Sequence, residues 1–297
     1  MADTIKVRPS ADNTAVKVAT VDISGTHYPI YKTAYGADGS VTQVDATNPL
    51  PVGNTAATPV FTKDFLLAVA MGEVTGHSIV NKFGQNDDLN TSTYEDIWDG
   101  GGVYDWPADA TAPITHVVST DAGDTGVCEV QGLDVNGDLV IQSPTLTGTT
   151  PVVLGTALWR VFRLKNTGSA EYVGVVRAFN NGSPDITYAQ IAIGNNQTLM
   201  ALYTVPNGKT AYLVQGSANM SAVARTVSAS GRFMARPYGG VFQLKNNFGV
   251  GSDGGGHNVP FPLALQLPGK TDLKVAAVSS ANGASMNATF ALLLVDD

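Results

Sequence analysis

The sequence predicts a mainly β protein: an antiparallel β-sandwich or jelly-roll body behind an extended N-terminal arm, with one short helix. Three observations predict it. Asn136-Gly137, Asn181-Gly182, Asn207-Gly208 and Asn282-Gly283 each sit between runs rich in Val, Ile, Leu and Tyr, and Asn-Gly is the strongest short-range hairpin signal because both residues tolerate positive φ. Charged residues make up 14% of the 297, with 32 glycines, whereas about 25% charge is usual for a globular chain. A helical signal worth the name occurs once, at residues 62–71.

In chain order, residues 1–60 read as the arm. Short β runs (Ala15–Val21, Tyr28–Lys32, Val41–Val44) are separated by Ser24-Gly25 and Asp38-Gly39, and a hairpin that small has no core of its own, so the arm must lie on something else. Tyr28 and Tyr35 are its candidate docking residues. Pro49 and Pro51 close it, holding the chain extended and withholding backbone donors. Residues 61–113 follow, carrying the helix and an aromatic, glycine-rich loop. Thr62 is the candidate N-cap, with Asp64 in the first turn and Gly72 past the end.

The loop, His77 to Trp106, holds two of the three tryptophans and the Gly100-Gly101-Gly102 triplet and shows no regular period. Ordering an irregular segment costs roughly 1–2 kcal/mol per residue, which only buried rings offset. Phe83, Tyr94, Trp98, Tyr104 and Trp106 are therefore the candidate binding residues, for docking or for packing. The plainer reading is that the rings pin the loop while Asp87, Asp88, Glu95, Asp96 and Asp99 face water. Residues 114–297 form the body. Its four hairpins pair Thr125–Gln131 with Asp138–Leu146, Glu171–Phe179 with Asp185–Ile193, Thr198–Val205 with Lys209–Gln215, and Leu273–Ser280 with Ala284–Val295.

Several classes are excluded as expectations. A net charge of −8 with no Lys/Arg cluster leaves nothing to neutralise phosphates, so no nucleic acid is expected. The longest apolar run, Phe65–Met71, is too short to cross a bilayer, and residues 1–13 lack an apolar signal core, which predicts a protein made in a cytoplasm and bound to no membrane. Cys128 stands alone and reads as a small buried hydrophobe. His27, His77, His116 and His257 lack metal-ligand spacing, no Gly-x-Ser-x-Gly occurs, and Asp134–Asp138 departs from a calcium loop in the place of its glycine. No catalytic residue, cofactor or metal is expected, and the chain is not expected to be an enzyme.

Four segments carry a resemblance. They are Tyr35–Val41 with Asn48–Val52; Asn81–Gly84 through Tyr94–Gly102; Val130–Gly137 with Thr145–Thr150 and Trp159–Val161; and Thr198–Tyr212. In this order they resemble segments of virion structural proteins of tailed bacteriophages, over roughly residues 28–215. Where such proteins carry an acid-rich strand before Thr145, this chain has Leu139–Ser143.

The resemblance implies a non-enzymatic component of the particle, a capsid decoration or head-fibre protein docking through its arm. It implies a location in the virion after synthesis in the host bacterial cytoplasm, with phage capsid or tail proteins as partners. Scarce helical cover for so many sheet edges adds an expectation of self-association, as a homotrimer. The alternative is a tail-tip or fibre protein that binds host-surface glycans through exposed rings of residues 94–106, or less favourably a polysaccharide-cleaving enzyme.

Overall fold

The computed structural model describes residues 64–222, 226–253 and 256–297, and before them the backbone of five short strands. The chain divides into two units, Met1–Thr62 and Lys63–Asp297. In the first, β1 (Thr4–Val7), β2 (Val16–Ile23) and β3 (Thr26–Pro29) form an antiparallel sheet in that order. β4 (Ala34–Tyr35) pairs with β5 (Thr42–Gln43) on either side of Asp38-Gly39. Tyr28 belongs to β3 and Tyr35 to β4, whereas Pro49 and Pro51 lie outside the described residues.

The second unit opens with helix α1, Phe65–Ala70, whose N-cap is Asp64; its Oδ1 accepts from the Leu67 backbone N–H at 3.1 Å. The helix thus begins later than the sequence suggests, because a carboxylate caps the open amides well and Asp64 offers one. Gly72 ends the segment at φ 74°.

The strands that follow build two sandwiches with separate cores. One, here the inserted lobe, packs the sheet β10 (Leu139–Gln142), β9 (Cys128–Leu133), β12 (Arg160–Asn166) against the sheet β11 (Val152–Leu158), β8 (Ile114–Ser119), β13 (Val176–Phe179), β14 (Thr187–Ile191). Ile114, Val130, Leu158, Leu164, Val176 and Ile191 fill it. The other, the outer lobe, has the sheet β15 (Leu202–Thr204), β20 (Asp272–Ser279), β17 (Ser228–Arg236), β18 (Gln243–Gly251), with β7 (Glu95–Asp96) also on β20. Facing it is the sheet β19 (His257–Leu267), β16 (Lys209–Ala222), β21 (Ala284–Asp296), β6 (His77–Asn86). Leu213, Phe233, Val275, Phe290 and Leu292 are in its core. The mainly β, antiparallel, sandwich-like architecture with one short helix is as the sequence predicts; the body is two sandwiches instead of one.

Two of the four Asn-Gly sites make hairpins. Asn136-Gly137 joins β9 to β10, the turn closing by the Gly137 N–H on the Asp134 oxygen at 3.0 Å with Gly137 at φ 85°. Asn181-Gly182 lies between β13 and β14, which pair directly. The other two expectations are corrected: β15 pairs with β20 and β16 with β19 and β21, so Asn207-Gly208 carries the chain from one sheet of the outer lobe to the other. Asn282-Gly283 does the same between β20 and β21. A tight turn fixes only a local reversal, and apolar faces decide which sheet the next strand joins.

The stretch read as a loop is also corrected at its start. Residues 77–86 are strand β6, paired along their whole length with β21 from His77↔Val295 to Asn86↔Met286.

Candidate functional site

Residues 95–107 cross from the outer lobe into the inserted lobe, and the chain returns beside them at residues 198–202. The two passages are bonded together: the Asp99 N–H donates to the Leu199 oxygen (2.9 Å), the Ala201 N–H to the Ile97 oxygen (2.8 Å), and Trp98 forms an isolated antiparallel bridge with Met200. Ile97 packs into the outer core and Trp98 into the inserted one.

The predicted aromatic residues divide here into three environments. Trp98, Tyr104 and Trp106 form a chain of edge-to-face contacts with centroids 5.2 and 5.0 Å apart, continued by Phe242 at 5.4 Å. Trp98 and Tyr104 are buried, so their faces are core surface; burial pushes the Tyr104 hydroxyl far above its usual range. Tyr94 is away from them, half-buried, its ring 3.7 Å from the Arg232 guanidinium and its hydroxyl donating to Ser230 Oγ at 3.1 Å. Phe83 belongs to β6, with the Arg163 guanidinium 5.8 Å from its ring. The glycine triplet is explained by the same packing: a Cβ on Gly100 would fall 2.2 Å from the Trp98 ring, and Gly101 and Gly102 hold φ 67° and 66°.

The acids do not all face water. Asp96 is fully buried, accepting from the Tyr104 N–H (2.9 Å) and pairing with Lys274 (2.7 Å); burial raises its pKa against the opposing pull of Lys274. Burial likewise lifts Asp99 to about 7, its Oδ2 accepting from the Leu199 N–H at 3.3 Å while its Oδ1 is buried without a partner among the described residues.

The larger charged assembly is one the sequence reading missed. Asp272 on β20 accepts from Arg160 Nε at Oδ1 (2.9 Å) and Nη2 at Oδ2 (3.0 Å), from Arg236 Nε (2.9 Å), and from Thr204 Oγ1 (2.6 Å). Arg160 on β12 also donates to the Pro107 oxygen (2.7 Å) and to Asp109 (3.3 Å), its guanidinium 4.0 Å from the Trp159 ring centroid. Asp109 accepts from the Gly239 N–H at 2.9 Å. Each guanidinium proton thus meets an acceptor or an aromatic face, the condition for burying a charge. The signal that could have pointed here is Trp159-Arg160-Val161, an arginine inside an apolar strand, which demands a carboxylate from elsewhere.

No group of three or more His, Cys, Asp or Glu side chains among the described residues is placed to hold a metal. Among the described residues no helix is long and apolar enough to cross a membrane. Of the four segments of the phage resemblance, three fall on β6 with the crossing strand, on β9 to β12, and on β15 with β16, and the first lies outside the described residues but for Tyr35 on β4.

No protein-family model matches this chain, and no curated protein matches it. Among solved structures, a chain from the structure of infectious bursal disease virus, Gt strain, aligns over 78% of each chain at 12% identity with a TM-score of 0.23. That is a weak likeness to a viral chain, and a score that low does not establish a common fold.

Taken by itself, the Arg160–Asp272 assembly is a fastener: Asp272 takes both guanidinium groups, Trp98 and Tyr104 are enclosed, and the pairing ties β12 of the inserted lobe to β20 of the outer one.

Proposed function

We propose that this chain is a non-enzymatic structural component of a tailed-bacteriophage particle, a capsid decoration or head-fibre protein that docks through residues 1–60 and displays its β body. The observation that carries this reading is the ordered set of four resemblances, Tyr35–Val41 with Asn48–Val52, Asn81–Gly84 through Tyr94–Gly102, Val130–Gly137 with Thr145–Thr150 and Trp159–Val161, and Thr198–Tyr212, to segments of virion proteins of such phages. Low charge and an all-antiparallel body with its buried carboxylates engaged in packing support it. Self-association as a homotrimer belongs to the same proposal. Its support is the low charged fraction and the many sheet edges with one short helix among the described residues to cover them.

The test is location in the intact particle. Immunogold labelling and mass spectrometry of purified virions should find the chain in stoichiometric, ordered copies, and a version lacking residues 1–60 should no longer attach. Absence from particles of a phage that encodes it, or attachment unchanged without the segment, would overturn the reading. The glycan alternative needs exposed rings, and Trp98 and Tyr104 offer none; a glycan array with a reducing-sugar assay would separate it.

A further inference from the structure

Between the two lobes lies a cleft of about 520 Å³. β6 lines one wall with residues 78–83, and β10 and β12 contribute Leu139, Ile141, Phe162 and Arg163. Among the described residues no Asp or Glu lines it, whereas Lys82, Arg163 and Lys209 do. Lys209 is paired with Asp296. The other two cations have no carboxylate within ion-pair distance among the described residues, in a chain whose net charge is −8.

Lys82 is the sharper case. It is 3% exposed, and its ammonium, with three protons to donate, meets the Phe162 carbonyl oxygen and the Phe162 ring face 5.8 Å from its centroid. Burial, with Arg163 beside it, holds its pKa well below the usual range, and Asp99 offsets this in part. Arg163 donates one Nη2 bond to the Asn81 oxygen at 3.0 Å and otherwise lies over Phe83. Burial this poorly paired favours the neutral amine of Lys82, and an anion entering the cleft beside Arg163 would favour its charged form. Hydrocarbon makes up most of the rest: Leu139 and Ile141 are 49 and 58% exposed, with Phe83 and Leu294 beside them, while Ser78, Asn81, Gln131 and Tyr203 add uncharged polar groups. Pockets of 300–1,000 Å³ with apolar walls and a few converging polar groups are the usual form of a small-molecule site, and lobe junctions are a usual place.

We propose that this cleft binds a small amphiphilic carboxylate, its head between Lys82 and Arg163 and its hydrocarbon body along Leu139 and Ile141. The proposal is independent of where the protein sits in a particle.

Isothermal titration of the full chain with decanoate, decanol and acetate dissects the two requirements. Decanoate should bind saturably, decanol at least tenfold more weakly, and acetate not detectably at the same concentrations. Arg163→Gln should weaken decanoate tenfold or more, and Ile141→Glu, at an exposed position that a folded protein tolerates, should do the same by placing a like charge beside the body. Near-ultraviolet circular dichroism identifies any variant that has lost its fold. Absence of saturable decanoate binding at millimolar concentration, decanol binding as tightly as decanoate, or folded Ile141→Glu binding unchanged would each overturn the proposal.

Discussion

Arg160 and Asp272 meet side by side across the junction of the two sandwiches, Nε to Oδ1 at 2.9 Å and Nη2 to Oδ2 at 3.0 Å, both residues at most 2% exposed. Removing one partner of such a pair strands the other in a medium that cannot solvate it, at a cost of roughly 3–5 kcal/mol. Asp272→Ala strands two guanidinium groups, since Arg236 shares the carboxylate. Urea unfolding should therefore show a large loss for Asp272→Ala and for Arg160→Ala, and a double variant less destabilised than the sum of the two. Strict additivity would show that the pair is not coupled.

Asp99 gives a pH dependence whose sign follows from burial. Its carboxyl titrates at about 7 in the folded chain against about 3.9 in an unfolded one. The folded state then holds the proton more tightly, so this group's contribution is fully present below about pH 4 and is lost as pH rises through about 7. Asp99→Asn keeps an oxygen for the Leu199 N–H and cannot ionise. Between pH 5 and pH 8 the wild type should lose more stability than this variant, by on the order of 1 kcal/mol or more; parallel pH profiles of chemical unfolding would show otherwise.

Gly84 lies where β6 crosses the bonded passages between the lobes. A Cβ there would stand 2.2 Å from the Ala201 nitrogen and 2.3 Å from the Ile97 oxygen, both backbone atoms. No side-chain rotation relieves that contact, so the strands must separate. Gly84→Ala should cost at least about 3 kcal/mol, above the usual range for overpacking, because the neighbours are hydrogen-bonded backbone. A soluble variant with an unchanged melting temperature would contradict the packing.

Cys128 is fully buried, and burial pushes its thiol up to about 12. A thiolate-selective reagent such as 5,5′-dithiobis(2-nitrobenzoate) should leave the native protein unmodified at pH 8 and react with one equivalent in denaturant. Fast reaction without denaturant would place the thiol elsewhere.

How much of this could be seen in the residues depends on what each feature rests on. Asn136-Gly137 and Asn181-Gly182 are hairpins because the strands beside them share a sheet. Asn207-Gly208 and Asn282-Gly283 look the same locally, but their flanking strands bury opposite faces of one core, information spread over the whole lobe. β6 escaped because its inward residues toward the far end are Lys82, Gly84 and Asn86: an alternating strand is found by its apolar face, and this one has none there. The value of Trp98, Tyr104 and Trp106 as packing residues was readable from composition. Their anchoring partners were not, since Arg160 is bound to an aspartate more than a hundred positions away.

The bonded pair of passages at Ile97–Asp99 and Leu199–Ala201 also orders events during synthesis. Everything the inserted lobe needs leaves the ribosome together, so it can close while translation continues. β6 emerges first among the long strands of the second unit, yet its ladder partner is β21, the last. Until that strand arrives, the outer lobe holds an unpaired edge carrying Ile79, Val80 and Phe83, and the finished insert keeps its two halves adjacent in the meantime. The nascent chain is consequently most exposed to mispairing with its neighbours on a polysome in the interval between completion of the insert and emergence of β21.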